Sequence, residues 1–138
     1  SARSLLAGAK EFSYPLPILE RNRDGIPLRA CMVLAAHAVE LCLKAYLLAI
    51  GLDDNHIRKL GHDLEAAWLA AVASGLALDS TFPYWCQLLN SAHAYPYVGR
   101  YPPVNAGLVS VGIGEMYDHI EGMIALVEGT SAFQRTAP

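Results

Sequence analysis

One long apolar segment limits the folds open to this chain. Across residues 28–50, every residue is apolar or tyrosine except Arg29, His37, Glu40 and Lys44, and Gly51 follows as a natural helix end. A helix that is apolar around most of its surface is surrounded by other helices or by lipid. Ionisable residues at this density are costly in a bilayer. The segment therefore predicts the central helix of a soluble bundle, with no membrane partner.

The rest of the chain also has helical patterns, divided by clear stop signals. The sequence predicts helices over 2–21 with a break at 14–17, a short helical turn over 53–60, and helices over 63–75, 81–93 and 115–128. Residues 94–114 are rich in proline and glycine and are predicted to be irregular, with an extended piece at 109–113, and residues from 129 onward are predicted to fray. We expect a single all-α domain over 1–138, an up-and-down helical bundle of four to five helices.

Composition narrows the choice of partners and compartment. The chain is 54% hydrophobic and 17% charged, which predicts a well-buried core and surplus apolar surface covered by a second copy of the chain, as a homodimer. A net charge of −3 gives no DNA signal, and any RNA contact requires a local basic site. The odd set Cys31, Cys42 and Cys86 is not a disulfide framework, so we expect buried thiols in the cytoplasm.

The polar residues of the long helix share one stripe. At about 100° per residue, with His37 at zero, Lys44 falls near about −20°, Glu40 near about −60° and Arg29 near about −80°. One interpretation is a solvated face with a Glu40–Lys44 pair. The other is an internal polar site in which Glu40 orients groups from the 94–114 loop.

Several histidines outside the stripe are candidates for chemistry. Asp63 is expected to cap a helix while His62 packs against or hydrogen-bonds to the central helix. Alternatively, His62 acts as an acid or base near Glu40. His37 and Glu40, three positions apart, supply two metal donors without a second pair, so no metal and no cofactor are predicted. His93 and His119 are predicted to be isolated structural or surface groups.

The 94–114 loop carries an aromatic and basic mixture. Tyr95, Tyr97, Arg100 and Tyr101 suit stacking on bases while a phosphate is held, and Tyr-Pro loops also pack in this way for structural reasons alone. Arg100 is predicted to pair with Glu40, with His62 close by, since a guanidinium beside an apolar helix needs a carboxylate.

Three motifs in order resemble those of the HEPN family. Residues 36–47 read AHAVELCLKAYL, residues 61–64 read GHDL and residues 100–102 read RYP. The resemblance covers about 28–103 and implies an up-and-down helical bundle, often dimeric, in a family linked to RNA cleavage and nucleotide-associated systems. Many of its ribonucleases use an Arg, four to six intervening residues, then a His. Here seven residues separate Arg29 from His37, three separate Arg58 from His62, and Arg100 has no His at that spacing.

These observations together favour a binding function. We expect a HEPN-like binding and interaction module, dimeric or bound to another protein, that lacks the usual ribonuclease motif and contacts RNA or a nucleotide. The candidate polar site comprises Glu40, Lys44, His62, Asp63, Arg100 and Tyr101. The alternatives are a metal-independent, toxin-like endoribonuclease with a rearranged Arg/His site, and a purely structural interaction domain.

Overall fold

A computed structural model describes residues 1–95, 97 and 107–138. Within these residues the chain is all-helical and contains no strand, which confirms the predicted all-α class. The helices are α1 (Ala2–Ser13), α2 (Leu16–Glu20), α3 (Leu28–Ala49), α4 (Asp54–Leu60), α5 (Leu64–Ala73), α6 (Tyr84–His93), α7 (Ile113–Gly129) and α8 (Ser131–Gln134).

Helix α3 is the centre of the bundle. It packs against α1, α5, α6 and α7, so it is surrounded on several sides. Small side chains permit this close approach, because four of its alanines are almost fully buried: Ala35, Ala36, Ala38 and Ala45. Gly8 of α1 lies so near α3 that an added Cβ would sit 3.0 Å from Leu41 Cδ1.

The length and apolarity of α3 would also suit a membrane span. It is the one described helix that is long and apolar enough, and 67% of its most apolar window is buried inside the protein. The core helix of a soluble protein has the same properties, and the neighbours of α3 are compatible with that interpretation.

Helix boundaries in the middle of the chain follow the predicted capping chemistry. The Asp53 side chain accepts a hydrogen bond from the His56 amide at the start of α4, and Asp63 does the same for two amides at the start of α5. Gly61 ends α4 with φ at 58°, a conformation that favours glycine. The predicted Asp63 cap is therefore confirmed, and Asp53 supplies a second aspartate cap.

Several predicted boundaries were wrong. The predicted break after α1 is confirmed, because the chain turns at Tyr14 and Pro15, but other boundaries differ. Helix α6 begins at Tyr84 rather than at 81, directly after Pro83, which lacks the amide that a helix interior needs. Helix α7 begins at Ile113, so the predicted extended piece does not persist to its end.

The segment after 129 is ordered, contrary to the expected fraying. Thr130 caps the short helix α8, and Phe133 is buried. The Arg3 guanidinium donates to the Thr136 carbonyl oxygen through Nε and Nη2, both at 3.1 Å, and its Cζ lies 5.3 Å from the centre of the Phe133 ring. Contacts with the start of α1 therefore hold this segment in place.

Candidate functional site

A buried carboxylate lies in the middle of α3. Oε1 of Glu40 accepts a hydrogen bond from Nζ of Lys44 at 2.7 Å. Oε2 of Glu40 lies 3.0 Å from Nδ1 of His62 and 2.5 Å from Nε2 of His93. We call Glu40, Lys44, His62 and His93 the Glu40 cluster.

The cluster joins three parts of the fold. His62 lies in the turn between α4 and α5, directly before the cap residue Asp63, and His93 is the last residue of α6. Lys44 also donates to the Gly61 carbonyl oxygen at 2.6 Å, which fixes that turn against α3. The position of His62 is thus set by the hydrogen bond of Lys44 to the neighbouring Gly61 backbone, as well as by the contact of its own ring with Glu40.

Asn90 connects the segments that carry the two histidines. Its Oδ1 accepts from the Leu64 amide at 2.8 Å, and its Nδ2 donates to Oδ1 of Asp63 at 3.0 Å. Asp63 follows His62 directly, and Asn90 lies one helical turn before His93. The Asn90 hydrogen bonds therefore fix the positions of the two imidazoles relative to each other.

Electrostatics fix which ring nitrogens carry protons. An ionised carboxylate only accepts hydrogen bonds, so Nδ1 of His62 and Nε2 of His93 are the protonated positions. Burial alone would raise the pKa of Glu40. The hydrogen bonds from His93, Lys44 and His62, together with the charge of Lys44, outweigh it and hold that pKa well below its ordinary value. Glu40 is therefore ionised at neutral pH.

His62 is the accessible member of the cluster. The exposed fraction of its side chain is 38%, compared with 12% for Lys44, 9% for Glu40 and 2% for His93. The His62 ring packs edge-on against His93, with centroids 5.5 Å apart, and against Tyr97, at 5.8 Å. Tyr97 in turn contacts Tyr95, whose side chain is largely exposed.

The polar stripe of α3 faces the interior at Glu40, while Arg29, His37 and Lys44 are half-buried. The predicted Glu40–Lys44 pair is present, but Glu40 is buried, so the solvated-face interpretation is wrong. His62 lies within hydrogen-bond distance of Glu40, a contact that fits both interpretations of His62, since Glu40 belongs to the central helix. The described hydrogen bonds of Asp63 go to the α5 backbone and to Asn90, so its role there is a cap and a brace. Arg100 and Tyr101 lie outside the described residues.

His93 was missed by the sequence reasoning. It was expected to be isolated, yet it is buried against Glu40. A signal was present, because Cys86, Leu89 and His93 follow helical spacing and share the face of α6 that is buried. His119, by contrast, is on the surface and stacks on Trp85, with centroids 4.9 Å apart.

The metal donors that converge in the structure differ from the His37 and Glu40 pair considered from the sequence. Nδ1 of His37 lies 3.0 Å from the Val33 carbonyl oxygen of its own helix. One ligand atom each from Glu40, His62 and His93 lies within 4.8 Å of the other two. Among the described residues, these three form the group with metal-ligand composition.

Comparison with known proteins gives no match to any family model, curated protein or solved structure.

Proposed function

We propose that this chain is a HEPN-like binding module that takes single-stranded RNA or a nucleotide beside His62. The observation that supports the proposal best is the fixed, partly exposed His62 imidazole, held from behind by the buried carboxylate of Glu40. A bundle could fill this position with an apolar side chain at less desolvation cost. The cluster instead presents a partly exposed imidazole, a ring that suits stacking on a base.

The aromatic neighbours of His62 suit bases. Tyr95 and Tyr97 form an edge-to-face pair with centroids 5.7 Å apart, and Tyr97 leads on to the His62 ring. Exposed aromatic faces are the common means by which proteins stack unpaired bases. In this proposal, Arg100 and Tyr101 are further expected contacts, with the guanidinium supplying the cation for a phosphate.

Exposed apolar residues support assembly as a homodimer, and the cysteines support a cytoplasmic location. Tyr14 and Ile18 are more than half exposed, and Ile26 is nearly so, although all three are apolar or aromatic and lie near α2. The three buried free thiols fit a reducing compartment. A protein partner on the same surface is the alternative to a second copy.

Binding is tested most directly by removing one exposed stacking ring. We expect Tyr95→Ala to weaken binding of a fluorescent single-stranded RNA, or of a labelled nucleotide, by about 5- to 150-fold in anisotropy titrations, since one stacked base contributes about 1–3 kcal/mol. The matched control is Tyr84→Ala, because Tyr84 is also well exposed but lies at the opposite end of α6 from His93. Equal affinities for the two variants, or no binding to either probe, would contradict the proposal.

The second candidate function is a metal-independent endoribonuclease. It is favoured by the Glu40–His62 pair, because a carboxylate that holds Nδ1–H of an imidazole prepares Nε2 to accept a proton. The binding proposal predicts no RNA cleavage above background by purified protein in EDTA. Cleavage that is lost in both His62→Ala and Arg100→Ala would establish the second function instead.

A further inference from the structure

We propose that Glu40, His62 and His93 form a binding site for one divalent transition-metal ion of the zinc type. The inference goes beyond the proposed binding function and does not depend on it, because it concerns the inner side of the His62 ring rather than the outer one. It starts from three donor atoms that come from three separate segments and converge on one point.

The donor set has the composition of an open zinc site. Two imidazole nitrogens and one carboxylate oxygen, with the fourth position left to water, are a recurrent arrangement for zinc. Imidazole donors favour zinc, cobalt or nickel over magnesium and calcium, which prefer oxygen ligands. Nδ1 of His62, Nε2 of His93 and Oε2 of Glu40 are the atoms that would coordinate.

The donor atoms need only small movements to accommodate a metal ion. Metal–ligand bonds of about 2.0–2.1 Å in a tetrahedron place ligand atoms about 3.3 Å apart. Oε2 now lies 3.0 Å from the His62 nitrogen and 2.5 Å from the His93 nitrogen. Each of these two pairs must therefore separate by less than about 1 Å, and the two histidine nitrogens, which lie within 4.8 Å of one another, must come to the same spacing. Movements of this size are within the reach of side-chain rotation.

Lys44 does not occupy the oxygen that the metal requires. Its Nζ bonds to Oε1 of Glu40, while both imidazoles face Oε2. Glu40 can then bind the ion through one oxygen and keep Lys44 on the other, and outer hydrogen bonds of this kind commonly orient a ligating carboxylate. The lysine charge also disfavours a doubly charged neighbour, so we expect affinity in the micromolar rather than the picomolar range.

Other histidine–carboxylate pairs of the chain provide a contrast. His56 lies 2.8 Å from Asp53, and His119 lies 3.7 Å from Glu115, but both pairs are exposed. Neither pair belongs to a group of three donors among the described residues. Within the described part of the chain, the Glu40 cluster alone offers three donors, and two of them, Glu40 and His93, are buried.

The site also bears on the second candidate function. A metal on Nδ1 of His62 replaces the proton that Glu40 now accepts, so the imidazole is no longer held as a carboxylate–histidine pair. Metal loading is thus expected to inhibit any metal-independent cleavage rather than to support it.

The test uses cobalt as a coloured substitute for zinc. The full chain, free of a polyhistidine tag and of chelator, is titrated with Co²⁺ near neutral pH while visible absorption is recorded. We expect one Co²⁺ per chain, an intense absorption typical of four-coordinate cobalt, and displacement by Zn²⁺. His93→Gln and His62→Gln should each weaken binding by at least about tenfold, since even supporting groups contribute 10- to 100-fold. His119→Gln and His56→Gln should leave it unchanged.

The glutamine variants separate a loss of metal binding from a loss of folding. Glutamine retains a side-chain N–H that can face Glu40, and circular dichroism checks that each variant is folded. If His93→Gln fails to fold, His62→Gln decides, because that side chain is 38% exposed. Failure of the wild-type chain to bind stoichiometric Co²⁺, or binding that survives in a folded His62→Gln variant, would overturn the proposal.

Discussion

Nε2 of His93 lies 2.5 Å from Oε2 of Glu40, although 53 positions separate the two residues in sequence. The contact attaches the end of α6 to the middle of α3, inside the bundle. Since Lys44 and His62 approach the same carboxylate, Glu40 is the common acceptor of three segments. The stability of the fold and the geometry of the candidate site therefore depend on the same side chain.

Removing the Glu40 carboxylate should destabilise the protein strongly. Glu40→Ala leaves the largely buried Lys44 ammonium and two imidazoles without their shared acceptor, and breaking a buried pair in this way costs about 3–5 kcal/mol of unfolding free energy. Urea unfolding at neutral pH measures the loss. Glu11→Ala, on the exposed surface of α1, is the control and should change stability by less than about 0.5 kcal/mol. A loss below about 1 kcal/mol for Glu40→Ala would show that the cluster contributes little.

Removing the side-chain cap of α5 should destabilise the protein. Asp63 accepts from the Glu65 and Ala66 amides and from Asn90, so Asp63→Ala is expected to cost about 1–2 kcal/mol. Asp63→Asn retains a capping oxygen and should recover most of the loss. Thermal unfolding of the two variants side by side distinguishes them, and equal melting temperatures would argue against the cap.

The three thiols should be unreactive in the folded protein. Burial raises the pKa of Cys42 to about 12 and also raises the pKa of Cys31 and Cys86. A thiol with a pKa of about 12 is ionised to only about one part in ten thousand at pH 8, and the thiolate is the reactive form. We expect a thiol-specific dye to label the native chain slowly at pH 8 and to label three groups at once in denaturant. Rapid labelling without denaturant would contradict the burial of these residues.

The proposed homodimer predicts a defined mass in solution. Light scattering at tens of micromolar should give twice the 14.9 kDa of one chain. If the exposed apolar residues near α2 form the interface, Ile18→Asp should shift the mass toward the monomer, whereas Leu69→Asp, at a similarly exposed position on α5, should not. A monomer mass for the wild-type chain would rule the homodimer out.

Features encoded in short stretches could be predicted from the sequence, as residues 40–64 illustrate. The length and apolarity of α3, the Glu40–Lys44 pair and the Asp63 cap all depend on neighbours within a few positions. The docking of α6 was beyond such reasoning, because the partner of His93 is chosen by how two helices pack. The order after 129 was missed for the same reason, since Phe133 and Thr136 are held by Arg3.

The bridge made by Asn90 has a consequence for observing how the domain assembles. The Leu64 amide at the start of α5 has no carbonyl partner within its own helix, and its hydrogen bond goes to a side chain of α6 instead. Exchange of this amide proton with solvent therefore reports the undocking of α6 from α5 rather than fraying of a helix end. The exchange rate of the Leu64 amide proton thus reports whether the segments that carry His62 and His93 are docked together.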